Sequence, residues 1–237
     1  AHLIYIVQNS FDFVLGQTYQ TDVHKYTRRI DVFESYFSAL SFAVFTVVFL
    51  VLYAFVSLYT RGVTDMHYAD HTLVLLFVAI ELLSVMRMPM LQTINYAGHF
   101  KLTTPQSITE TVINLVVSLV AVSRFGMYGI LAGTVIALLY RTNDIIIYAN
   151  RRLLNRSPLR TYLIHALNIA LFVGLQFAFS AVLGPMDSWW SLIRAGVLGG
   201  LIALPVFMLA QTLFWRDNRI AALETAGKLK SRLLRKG

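Results

Sequence analysis

The sequence contains no cysteine, which excludes a disulfide framework, a thiolate nucleophile, Cys-ligated zinc and iron–sulfur clusters. Charge is scarce too: Asp, Glu, Lys and Arg make up 14% of the 237 residues, against about 25% in a soluble domain. There are five prolines, so long helices can run uninterrupted. G-x-S-x-G, H-E-x-x-H, the P-loop and G-x-G-x-x-G are all missing, so neither an enzyme nor a bound cofactor is expected. The N-terminal stretch AHLIYIVQNSFDFVLG has no basic residue ahead of an apolar core, and so does not read as a secretory signal.

What the chain has is apolar surface. Apolar residues make up 57% of the sequence, and Ala39 to Leu58 contains no charge over 20 positions. At about 1.5 Å per residue such a tract covers roughly 30 Å, the hydrocarbon thickness of a bilayer. Six tracts of this kind predict an all-α, six-helix polytopic membrane protein, with spans near 39–58, 72–91, 106–123, 125–148, 162–183 and 190–215. They divide the chain into an N-terminal segment 1–38, a transmembrane lobe 39–215 and a basic tail 216–237.

The net charge of +8 has a membrane explanation rather than a nucleic-acid one. With the N-terminal segment inside, 16 of the 20 basic residues fall in inner segments. Only Arg61 and Arg124 lie outside, and Arg87 and Arg194 fall within spans. The positive-inside rule therefore places both ends of the segment in the cytoplasm, beside anionic lipid. The tail spaces Ile220, Leu223, Ala226, Leu229 and Leu233 at three or four residues. That is the pattern of a helix lying on the inner leaflet, with a frayed basic tail as the alternative.

A charge at bilayer depth costs on the order of 2.5–3.5 kcal/mol and marks a partner or a cavity. Glu81, Arg87, Glu110 and Arg194 stand out among the spans, and the span at 125–148 reaches its length only by running past Arg141 and Asp144. Ser107, Glu110, Thr111, Asn114 and Ser118 share one helix face, and His165, Asn168, Gln176 and Ser180 nearly share another. Such faces either line a polar pathway for a hydrophilic anion or hydrogen-bond neighbouring helices together. Arg87, about one turn from the end of its span, and Arg194, near the other side, can also snorkel. Pro89 and Pro205 are candidate kinks. Gly129 and Gly133 form a GxxxG pair for close helix approach. His67 and His71, with Asp65 and Asp70, offer an adventitious metal site in an outer loop.

Two stretches carry a family resemblance: LYTRGVTDMHYAD, and QTINYAGHFKLTTPQSITETVINLVVSLVAVSRFGMYGILAGTVIALLYRTNDIIIYANRRLL. Together they resemble the C-terminal half of the polysaccharide-exporter flippases, within the multidrug/oligosaccharidyl-lipid/polysaccharide group. The resemblance covers about residues 11–183. It implies one lobe of a twelve-helix, two-lobed flippase for undecaprenyl-pyrophosphate-linked repeat units in a bacterial cytoplasmic membrane. The implied partners are a first lobe on the same or a separate chain, the lipid-linked oligosaccharide, and glycosyltransferases or a polymerase. Arg87 is then the first choice for the pyrophosphate and Arg194 the second, with Glu110 and Asn114 lining the cavity. Glu81 and Glu110 keep a cation-exporting drug transporter as the rival. A non-transporting scaffold for glycosyltransferases is the rival from another class.

The absence of native thiols makes the topology directly testable. A single Ser157→Cys is expected to react with an impermeant maleimide only after the membrane is opened. Arg61→Cys should react in intact cells.

Overall fold

Val23–Tyr59 forms the long axis of the protein as α2, a helix of 37 residues. At about 1.5 Å per residue it is roughly 55 Å long, well beyond the hydrocarbon core. In this computed structural model, which describes residues 2–63 and 69–234, most of the other helices pack against it, and a hairpin of two more packs chiefly on its neighbours. The other helices are α1 (His2–Thr21), α3 (His71–Met86), α4 (Met88–Tyr96), α5 (Thr104–Phe125), α6 (Met127–Tyr148), α7 (Leu159–Val182), α8 (Trp189–Phe214) and α9 (Arg216–Leu234). No strand occurs among the described residues. Six helical segments, counting α3 and α4 as one, are long and apolar enough to cross a membrane. This is the expected all-α six-helix bundle of a multi-pass membrane protein.

The sequence reading begins the first span at residue 39, and the helix begins at residue 23. Asp22 caps it by accepting the Lys25 backbone N–H at 3.0 Å. That bond holds the Asp22 carboxyl below the usual carboxylate range. Buried positions Tyr26, Ile30, Glu34, Phe37, Ser41 and Phe45 recur at three and four residues, so one stripe runs from the charged first half into the apolar second half. Residues 4–38 are therefore helical and packed, apart from the Asp22 cap. Helix α1 docks on α4: the Tyr96 hydroxyl donates to Asp12 Oδ1 at 2.5 Å, Gln20 donates to the Tyr96 carbonyl at 2.9 Å, and Gly16 lies against the Tyr96 ring.

The second span is interrupted rather than kinked. α3 stops at Met86 and α4 restarts at Met88 with Pro89 in its first turn. Proline supplies no N–H to the Val85 carbonyl and its ring crowds that group, so the helix cannot continue regularly through it. Pro205 lies inside α8 without interrupting it.

α5 and α6 form a hairpin whose turn is Gly126, at φ 55°, ψ −133°, a conformation open essentially to glycine. The two helices then approach closely. A Cβ on Gly129 would sit 2.5 Å from the Ala121 backbone, and one on Gly133 would sit 2.8 Å from the Ser118 backbone N. The GxxxG pair therefore serves contact between α5 and α6. Gly133→Leu is expected to force the hairpin apart and cost about 1–3 kcal/mol or more. A thermal melt of the detergent-solubilised chain checks this, and Gly174→Leu, at a site with open space, serves as the control.

Candidate functional site

Arg87 sits at the break between α3 and α4, with helical backbone dihedrals but outside either helix. Glu110 lies two turns into α5, and Arg141 and Asp144 lie in the last third of α6. The fold brings these four groups together. Arg87 Nη1 reaches Glu110 Oε1 at 3.1 Å, and Arg141 Nε faces Glu110 Oε2 at 3.6 Å. Arg141 Nη1 bonds Asp144 Oδ2 at 2.5 Å, and its Nη2 donates to Ser107 Oγ at 3.0 Å. Two cations and two anions thus balance within one cluster. A unit pair at about 4 Å gains roughly 4 kcal/mol at an effective dielectric of 20. Set against about 2.5–3.5 kcal/mol for each of the two charges at depth, one such pair offsets more than half of their cost, which is why pairing decides where these side chains point.

The two arginines differ in what they have left to offer. The Arg141 side chain is 5% exposed, and all three of its guanidinium nitrogens are engaged. Arg87 is 22% exposed and commits only Nη1 among the described residues. A guanidinium carries five N–H donors, so Arg87 retains donors for an anion. Glu110 is the hinge of the arrangement: its second oxygen stays with Arg141 if an anion displaces the first from Arg87.

The remaining sequence candidates are placed as follows. Asn114, one turn beyond Glu110, accepts from Ser118 at 3.0 Å and from Thr134 at 3.4 Å, so it ties α5 to α6. Glu81 is partly buried on α3, and Arg194 is exposed near the start of α8. Neither joins the Arg87 cluster, and neither forms an ion pair among the described residues. In the outer loop, Asp65 and His67 lie outside the described residues. Asp70 caps α3 and accepts from the Tyr128 hydroxyl at 3.1 Å. The Leu73 backbone N–H, foremost, holds the Asp70 carboxyl below its ordinary range. His71 stacks on Tyr53 with ring centroids 3.7 Å apart.

A second polar network, largely missed by the sequence reading, joins α2, α7, α8 and α9. Asp31 pairs with Arg156 and Arg160, and Arg160 pairs with Asp217 at 2.8 Å while its guanidinium lies 4.7 Å from the Trp215 ring. Farther along, Asn168 donates to Ser38 at 2.8 Å and accepts from Gln211 at 2.9 Å. Gln211 in turn accepts from the Trp215 indole at 2.8 Å. Gln176 donates to the Thr46 carbonyl at 2.9 Å. The polar face of α7 is thus largely spent on α2 and α8; the exceptions are His165 Nε2 and Ser180, which is exposed and bonds its own helix. Beside this network, Glu34 and His165 line a narrow internal crevice with Ser38 and Ser41. Both Glu34 oxygens and His165 Nε2 are buried without a hydrogen-bond partner among the described residues.

Two signals could have exposed these groups. Arg141 and Asp144 stand at the i, i+3 spacing of a helical ion pair. The charges of α2 fall on the same stripe as its apolar core residues. Comparison with protein-family models, curated proteins and solved structures yields no match.

The Asp31 and Arg156 side chains are 11% and 18% exposed. Removing Arg156 leaves Asp31 and Asp217 to share Arg160, so the group keeps one uncompensated charge, which in a buried pair costs about 3–5 kcal/mol. Arg156→Ala is therefore expected to lower the midpoint of a detergent-phase thermal melt by many degrees, and Arg151→Ala, on an exposed residue of the helical turn just before it, by far less.

Proposed function

We propose that this chain is the C-terminal six-helix lobe of a bacterial transporter that carries undecaprenyl-pyrophosphate-linked polysaccharide repeat units across the cytoplasmic membrane. The observation that carries the reading is the arginine at the α3–α4 break, set within a spanning segment with N–H donors uncommitted beside a neutralised cluster. The resemblance of the two sequence blocks to polysaccharide-exporter flippases supports it.

The chemistry needed is recognition without covalent change. A pyrophosphate brings concentrated negative charge and many acceptor oxygens, and a guanidinium meets these with parallel, charge-assisted hydrogen bonds. Arrival of the phosphate at Arg87 releases one Glu110 oxygen, and Arg141 keeps the other. The site can then take and release an anion without leaving a naked carboxylate in a low-dielectric setting. Alternating access requires a second bundle facing this one, so the first lobe is a partner, with glycosyltransferases or a polymerase as further ones.

Hydrogen bonds to a charged group contribute about 1.5–3 kcal/mol each, or roughly 10- to 100-fold in binding. With the first lobe present, Arg87→Ala is expected to reduce translocation of lipid-linked repeat units at least tenfold, with Arg87→Lys in between. Unchanged flux in Arg87→Ala removes this residue from the site. Export of lipophilic cations in place of the lipid-linked sugar favours the drug-exporter alternative. Co-purification with glycosyltransferases without any translocation favours the scaffold.

A further inference from the structure

At the basic end of the bundle, α1, the first half of α2 and the α8–α9 junction enclose an open groove of about 910 Å³. Its rim carries Lys25, Arg28, Arg29 and Arg216. None of the four forms an ion pair among the described residues. The carboxylates on the rim are Asp217, already engaged by Arg160, and Glu224. Positive charge is therefore in clear excess. Arg29 is fixed in place by donating to Thr18 of α1 at 2.6 Å.

The floor is apolar, and the transition has a direction. Along one stripe of α2, Lys25, Arg28 and Arg29 give way to Val32, Tyr36 and Leu40, all of which line the groove. Val14 and Phe11 of α1 flank it and remain 48% and 49% exposed. The stripe passes from cation to hydrocarbon over fifteen residues, about 22 Å. One bilayer leaflet with its headgroups is roughly 20–22 Å deep, half of the whole membrane. The apolar end also points toward the uncharged tract that begins at Ala39.

We infer that this groove binds an anionic glycerophospholipid of the adjoining leaflet, with its phosphate among Lys25, Arg28, Arg29 and Arg216 and an acyl chain along Val32, Leu40 and Val14. Both gradients of the groove, charge and polarity, match those of one such lipid, and a free phosphate would use only the rim. The inference does not depend on the transport reading, because lipid retention is measured without flux and without the first lobe.

The test is native mass spectrometry of the full chain in detergent, offered phosphatidylglycerol or phosphatidylcholine of identical acyl chains. Phosphatidylglycerol should be retained at least tenfold better, with one molecule bound and retention falling as salt rises. The exposed double substitution Lys25→Glu, Arg28→Glu should abolish the preference, while Arg61→Glu, a charge change at the opposite end, should not. Val32→Trp, which fills the floor, should weaken retention with the rim intact. Size-exclusion profiles matching the parent chain establish that these variants fold, and a variant that fails this check is replaced by Arg28→Gln. Equal retention of the two lipids overturns the inference. So does displacement of phosphatidylglycerol by glycerol phosphate, which assigns the rim to a free phosphate. Displacement by an equimolar polyprenyl pyrophosphate also overturns it, by assigning the groove to an isoprenyl lipid.

Discussion

Unpaired charge is costly away from water, and much of the architecture of this protein follows from that constraint. Fourteen per cent of the residues are charged, and most of those inside the helical bundle fall in two balanced groups; buried Glu34 and partly buried Glu81 form no ion pair among the described residues. Arg87, Glu110, Arg141 and Asp144 join the α3–α4 break to the α5–α6 hairpin. Asp31, Arg156, Arg160 and Asp217 join α2 to the start of α7 and to α9. Between lipid-facing helices the hydrophobic effect gives little preference for one neighbour over another. Ion pairs and amide hydrogen bonds therefore select which helices meet, and close contacts such as Gly129 and Gly133 against α5 set how near they come.

The second group depends on the unusual length of α2. A helix that ended with its apolar tract would leave Asp31 and Glu34 in a loop. Continuing it by more than four turns carries these acids into the interior, where the arginines of the α6–α7 connection and α7 can reach Asp31. The same extension presents Lys25, Arg28 and Arg29 outward on the opposite side. One helix thus separates an acidic interior face, where Asp31 is paired, from a cationic rim, simply by which side of its cylinder each residue occupies.

The six spans were legible because each is a run of about twenty apolar residues, a signal that survives without knowledge of any partner. The limits of α2 were not, because Lys25, Arg28, Arg29, Asp31 and Glu34 interrupt hydropathy, and hydropathy is blind to which charges face a partner more than a hundred residues away. Glu110 and Arg87 were each visible as misplaced charges, but their pairing was not, since no periodicity relates residues on α5 to a break between α3 and α4. Arg141 and Asp144 were hidden by a different cause: they lie where the fourth span runs toward its end, so they read as a boundary. Asn114 and Asn168 show that a polar face, seen only as a face, does not reveal whether it meets a solute or a neighbouring helix.

α5 buries no residue fully, and among the spans it leans chiefly on α6. During synthesis it emerges first. Until the Gly126 turn and the helix beyond it have left the ribosome, Asn114 and Ser118 lack their contacts with Thr134 and the Ile130 carbonyl. A solitary α5 is therefore a poor candidate for release into lipid, and the insertion machinery has reason to retain it until the hairpin can leave as a unit.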